Sequence, residues 1–253
     1  MAFAICKTVQ EEMAWIAGLR AESPETAAVV LANSKLLVEL AESGQVRAIL
    51  DVVASVDNLH KQTLSYYYIK MFQAACLNRR MDVMKYMLDN GFNAAHPFLQ
   101  DLLHRVIEDA SVEDDALQPV VRCLLHADVD VNYQRKRDLF TPLHVACTKN
   151  FVGVAALLLL YDADVNAVAN DDLMPLNCAE RVLVEQDVLA DEATIERNAK
   201  LIRLLLDNHA KRTWRRPKPE PEPVERAASS FKILSFSSAH NCSAGRLFDT
   251  DNA

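Results

Sequence analysis

The feature that most constrains this chain is a period of 33 residues. Thr141-Pro142-Leu143-His144, with Ala146 two residues on, returns as Met174-Pro175-Leu176-Asn177-Cys178-Ala179. Between the two copies lie an apolar helical run from Val154 to Leu160 and the tripeptide Asp164-Val165-Asn166. A unit this short cannot bury its own apolar face and is stable only when stacked on neighbours of the same design. The period therefore predicts a repeat stack.

The pattern extends upstream of the clear unit. Ala146, Asn150, Val154, Leu158-Leu159 and Asp162 are matched position by position by Ala75, Arg79, Val83, Met87-Leu88 and Gly91. Leu102-Leu103-His104 stands where Pro142-Leu143-His144 stands later, followed by the helical run Val120 to Leu125 and by Asp130-Val131-Asn132. Further upstream the fit is looser, with Gly44 at the loop between two helices. The segment Asp138 to Asn166, built around T-P-L-H-x-A, closely resembles an ankyrin repeat. The resemblance implies an all-α, ankyrin-type helix-turn-helix solenoid with short hairpin loops. The expected organisation is an N-terminal helical cap over residues 1–33, about five repeats over 34–213 (two clear, three degraded), and a flexible, disordered Pro/Glu-containing tail over 214–253. The cap is drawn from Phe3, Ile5, Val9, Met13, Trp15 and Ile16, with a second helix beginning at Ser23-Pro24-Glu25.

Spacing and glycine content depart from a regular array. From helix end to helix end, 91 to 128 is 37 residues, 128 to 162 is 34 and 162 to 209 is 47. The excess is expected in loops, around Glu108 to Asp115 and around Glu185 to Glu192, because a lengthened helix would lose register with its neighbour. Repeats of this kind normally end each helix on a left-handed glycine, yet the chain has five glycines. Asp128, Asp162 and His209 stand at three of those ends, and these residue types tolerate the left-handed region best after glycine. The stack is expected to be workable but less stable than a regular one.

Composition narrows the function. The chain is 51% hydrophobic and carries a net charge of -8, which disfavours nucleic acid as a partner. No run approaches the roughly 18 apolar residues of a membrane span, and the N-terminus does not read as a signal peptide. A cytoplasmic or nuclear location is expected. The six cysteines are scattered without a C-x-x-C pair, and four of them, Cys76, Cys123, Cys147 and Cys178, lie in apolar helical patterns where a reduced Cys is a small hydrophobe, so neither a disulfide framework nor a metal site is expected. No phosphate loop, nucleophile elbow or H-E-x-x-H motif is present, so neither an enzyme nor a cofactor or metal is expected.

In the repeats that this chain resembles, Thr141 caps the first helix, Pro142 takes its first turn, and His144 ties neighbouring loops. Recognition there uses the hairpin tips and the adjoining face of the first helices. Tyr133, Arg135, Lys136, Arg137 and Lys149 are accordingly the candidate partner-binding residues, expected to contact one or more proteins as a monomer. The next tip, Asn170-Asp171-Asp172, is acidic, so the row is mixed in charge and favours a protein partner. Lys211, Arg212, Arg215, Arg216 and Lys218 form a candidate nuclear localisation patch, and Ser229 follows Arg226 as a candidate phosphorylation site. Phe231 to Phe236 is a short apolar island in the tail. The leading expectation is a non-enzymatic interaction adaptor or scaffold. Two narrower readings are an inhibitor of a transcription factor, resembling the ankyrin inhibitors of the NF-kappa-B system, and a substrate adaptor for ubiquitin ligases. The tail matches the first only in part, and no convincing helical box follows Arg226.

Overall fold

The computed structural model describes residues 9–55, 61–108, 113–185 and 191–211. Among them the secondary structure is entirely helical. Helix α1 (Val9–Glu22) precedes five helix pairs: α2 (Pro24–Ser43) with α3 (Val46–Ser55), α4 (Lys61–Leu77) with α5 (Met81–Asp89), α6 (Leu102–Glu108) with α7 (Asp114–His126), α8 (Pro142–Thr148) with α9 (Val152–Leu160), and α10 (Pro175–Glu185) with α11 (Glu192–Asp207). First helices pack in one row, α2 on α4, α4 on α6, α6 on α8 and α8 on α10. Second helices form a parallel row, α3 on α5, α5 on α7, α7 on α9 and α9 on α11. One continuous core runs from Val30 to Leu205 between them, with Leu124, Leu143, Leu158 and Leu205 fully buried. Each such leucine contributes roughly 1.5–3 kcal/mol by leaving water.

Two expected boundaries shift. Residue 34 lies in the middle of α2, because Ser23 caps that helix (Thr26 N–H to Ser23 Oγ, 3.4 Å), Pro24 takes its first turn, and nothing interrupts it before Gly44. Among the described residues only α1 precedes the first pair. It lies against α2 and α4, with Trp15 5.4 Å from the Tyr66 ring and Glu12 2.8 Å from Lys70 Nζ. Phe3 and Ile5 lie outside the described residues. The acidic segment from Glu108 to Asp115 is not all loop, since Asp114 and Asp115 form the first turn of α7.

The left-handed turns fall where the period places them. The helix ends Gly91, Asp128, Asp162 and His209 have φ of 81°, 58°, 63° and 66°. A second set connects the helices within a pair: Gly44 at 78°, Arg79 at 57° and Asn150 at 59°. The backbone thus repeats even where glycine does not, and Asn, Asp and His bear most of the substitutions, as their short polar side chains allow.

Polar side chains tie one unit to the next. Asn132 donates through Nδ2 to Asp162 O (3.1 Å) and accepts from Asp164 N–H (2.7 Å). Asn166 repeats both contacts one unit on, with His209 O (3.2 Å) and Lys211 N–H (2.7 Å). A third tie caps a helix from outside its own unit. Phe151, at the start of α9, has no side chain able to cap it, and the Asp114 carboxylate of α7 accepts from the N–H groups of Gly153 (2.5 Å) and Val154 (2.8 Å) instead. A Cβ at 153 would meet the end of the Gln118 side chain and lie 3.0 Å from Asp114 Oδ2, so a larger residue there requires these side chains to shift.

Candidate protein-interaction surface

The first turn of α8 sets the geometry of the hairpin row. The backbone N–H of Thr141 donates to His144 Nδ1 (3.1 Å), and the Thr141 hydroxyl lies 2.8 Å from the same nitrogen. With Nδ1 accepting, the proton sits on Nε2, which donates to Leu173 O in the following hairpin (3.2 Å). His104 makes the same forward tie to Phe140 O (2.8 Å), while its Nδ1 has no partner among the described residues. Burial holds both imidazoles below their ordinary pKa, and therefore neutral at pH 7. At the third equivalent position Asn177 keeps the cap: its Oδ1 accepts from Met174 N–H (3.0 Å), capping α10 as His144 caps α8.

The tip between the third and fourth pairs is built around Arg135. Its guanidinium spans Asp138 Oδ1 and Oδ2 at 2.7 and 2.8 Å and also reaches Glu108 Oε2 at 2.7 Å. The Arg135 side chain is only 13% exposed and stacks over the Phe140 ring. Burial alone would raise the pKa of Glu108 and of Asp138, but hydrogen bonds and charge from Arg135 outweigh it and leave both below the usual carboxylate values. Arg135, expected as a partner contact, is therefore engaged internally, because two carboxylates reach it before a ligand would. It fixes the tip. Backbone bonds from Leu139 N–H to Arg135 O (2.9 Å) and from Arg135 N–H to Phe140 O (3.1 Å) close the same turn.

The neighbouring cations face outward. Lys136 is exposed and makes no ion pair among the described residues, whereas Arg137, 70% exposed, leans on Glu108 Oε1 at 3.3 Å. Together with Tyr133 they line one wall of a cleft of about 510 Å³. Phe98 and Pro97 of a short 3-10 turn (Pro97–Leu99) form another wall, and His104 and Arg105 of α6 belong to a third. Tyr133 packs edge-on to His104, centroids 6.0 Å apart. Of the five expected contact residues, four therefore meet at this cleft. Lys149 does not: it is the C-cap of α8, at the opposite end of that helix from the hairpin, and does not line the cleft. Lys211 is exposed beside Asn166. Arg212, Arg215, Arg216, Lys218, Ser229 and the apolar segment 231–236 lie outside the described residues.

Sequence reasoning missed Glu108, Arg105 and Phe98. The Arg135-x-x-Asp138 spacing was readable as a local pair. Glu108 lies 27 residues away from Arg135 and carries no local signal.

A model of the ankyrin repeat matches residues 138–170, the unit built on α8 and α9. This chain is an ankyrin-repeat protein. Its similarity to curated relatives rests on short stretches. It is 39% identical over 90 residues to "Ankyrin repeat and SOCS box protein 5" of Bos taurus, covering 35% of this chain and 27% of that protein. It is 34% identical over 91 residues to "ARF GTPase-activating protein Git" of Drosophila melanogaster, covering 36% and 12%. A 61-residue stretch is 43% identical to "Alpha-latroinsectotoxin-Lt1a" of Latrodectus tredecimguttatus, covering 24% and 4%. The ankyrin stack thus spans about a quarter or less of the relatives that it matches. The ankyrin repeat is a module of protein–protein interaction.

Proposed function

We propose that this ankyrin-repeat protein is a non-enzymatic adaptor or scaffold. It holds a partner protein on the hairpin tips and the adjoining face of the first helices. The observation that carries this reading is the cleft beside α6. There exposed Lys136 and Arg137 stand next to aromatic walls, on a tip that the Arg135 ion-pair network makes rigid. A pre-set tip binds without the entropy cost of ordering a loop, which is the usual expense of loop-mediated recognition. Affinity capture from cells tests it, comparing the intact chain with Lys136→Ala/Arg137→Ala and with a chain ending at Arg212. The expected result is a defined partner lost with the double change, with helicity unaltered by circular dichroism, and kept on truncation. A partner kept by the double variant and lost on truncation moves the function to residues after 212.

A second reading, a substrate adaptor of a ubiquitin ligase, is favoured by the similarity to "Ankyrin repeat and SOCS box protein 5". Under it the stack holds the protein to be modified and another segment recruits the ligase. Capture of ligase subunits by the intact chain, lost on truncation at Arg212, is the result it requires.

A further inference from the structure

We propose that the cleft between α6 and the 133–137 tip takes an extended acidic segment of the partner protein, read by Lys136, Arg137 and Arg105. This rests on the binding reading above and specifies its chemistry. Four cationic side chains line the cleft (Arg105, Arg135, Lys136, Arg137) against the carboxylates of Asp101 and Glu108. Adding Asp138, which sits behind Arg135, still leaves the cleft net positive, in a chain whose net charge is -8. The internal demand for positive charge is met almost entirely by Arg135, since Glu108 and Asp138 both lie 2.7 Å from its guanidinium. Lys136 and Arg105 have no carboxylate partner among the described residues, and Arg137, 70% exposed, makes two longer contacts, to Glu108 Oε1 at 3.3 Å and to Asp138 Oδ2 at 3.5 Å. These three cations come from two different elements and converge on one cavity. Its volume falls within the roughly 300–1,000 Å³ typical of ligand clefts.

The walls specify more than charge. Phe98 and Tyr133, both half-buried, offer apolar faces beside the cations. An acidic residue with an apolar or aromatic neighbour in an extended chain meets both surfaces at once. The next tip along the row limits how far such a segment extends, because Asp171 is exposed there and repels carboxylates. Asn170 of that tip is tied to Asp138 O through its N–H (3.0 Å), so the repulsive Asp171 is held at a fixed place beside the cationic tip. An acidic stretch is thereby confined to the first tip.

A library of random twelve-residue peptides displayed on phage, panned against the full chain, tests this. The intact protein should enrich peptides rich in Asp and Glu with an adjacent aromatic or aliphatic residue. A synthetic peptide of the enriched sequence should bind at least about tenfold more weakly to Lys136→Glu/Arg137→Glu and to Arg105→Glu. Its binding should also weaken as salt rises toward the molar range. Enrichment of neutral or basic peptides overturns the proposal, as does enrichment of acidic peptides that the charge-reversed proteins bind equally well. Failure to enrich any peptide, while the cellular partner is still lost with Lys136→Ala/Arg137→Ala, overturns the acidic segment and leaves the binding face standing. A cellular partner indifferent to that double change instead removes the binding reading itself.

Discussion

The two hairpin tips on either side of α8 share a backbone plan and differ in what fixes them. The first, around residues 133–140, adds a side-chain clamp to its backbone bonds: Arg135 holds Asp138 and Glu108, and the tip carries spare positive charge into a cleft. The second, around residues 167–173, is held by backbone and amide contacts: Ala169 N–H to Leu173 O (2.8 Å), Asn170 N–H to Asp138 O (3.0 Å), and Gln134 Nε2 to Val168 O (2.9 Å). It presents two aspartates and the apolar Val168 to solvent. The repeat dictates where a tip stands, whereas side chains outside the repeated positions decide its charge and stiffness. Under the proposed binding role, specificity is a property of individual tips.

Removing the clamp is the harshest test of that contrast. Arg135→Ala strips two carboxylates of their shared partner and should lower stability by about 1–3 kcal/mol, the range for hydrogen bonds to charged groups. The loss should shrink in acid. Glu108 and Asp138 have depressed pKa values in the folded protein, so their contribution is full above the ordinary values of 4.5 and 3.8 and disappears as pH falls below them. Urea melts of both proteins at pH 7 and near pH 3 measure it, and a difference independent of pH would mean that the clamp is not electrostatic.

Backbone strain separates the tips in the opposite direction. Leu139 of the first tip sits at φ 60° and Asp172 of the second at φ 52°. Leucine gains nothing from the left-handed region, where the cost to an L-residue is roughly 1–2 kcal/mol, while aspartate tolerates it. Leu139→Gly should therefore stabilise by up to about 1 kcal/mol, the relief being partly offset by glycine's freedom in the unfolded chain, and Asp172→Gly by less. Equal shifts in thermal midpoint for the two variants would show that strain does not distinguish the tips.

The forward ties give a third contrast. His104 and His144 are neutral in the fold, and the unfolded chain takes up a proton first as pH falls below the ordinary imidazole value of 6.5. Their contribution is complete above that pH and is lost as pH falls from there toward the folded-state values. The slope is at most about 1.4 kcal/mol per pH unit for each histidine. His104→Asn/His144→Asn copies the Asn177 arrangement at both sites and should flatten the stability profile between pH 6.5 and 5, apart from a residue due to His96. A slope unchanged in the double variant would place the titration elsewhere.

The smallest effect is expected at the exposed cations. Lys136→Ala/Arg137→Ala should move stability by no more than about 0.5 kcal/mol, as surface substitutions do, while abolishing partner capture. A large loss of stability would mean that these side chains belong to the clamp rather than to the binding face.

Much of the architecture was legible in the chain. The 33-residue return of the Pro-Leu pair located α8 and α10. The residues that stand in for glycine, Asp128, Asp162 and His209, lie at left-handed helix ends where the period put them. Ser23-Pro24 marked the start of α2. The candidate surface was legible only in outline. Tyr133, Lys136 and Arg137 were visible as a basic tip beside an aromatic ring, but Arg135 looked the same as its neighbours. Only its 2.7 Å contact with Glu108 shows that it is engaged within the fold.

The sequence by itself determined the repeat, because helix caps, left-handed turns and apolar spacing are local preferences that each unit states in its own residues. The tertiary structure decided which charges are spent and which are free. Ion pairs such as Arg135 with Glu108, and caps such as Asp114 on α9, join residues 27 to 40 positions apart. Their energy depends on separations of a few ångströms that no local pattern encodes. Those contacts exist only once the units have stacked.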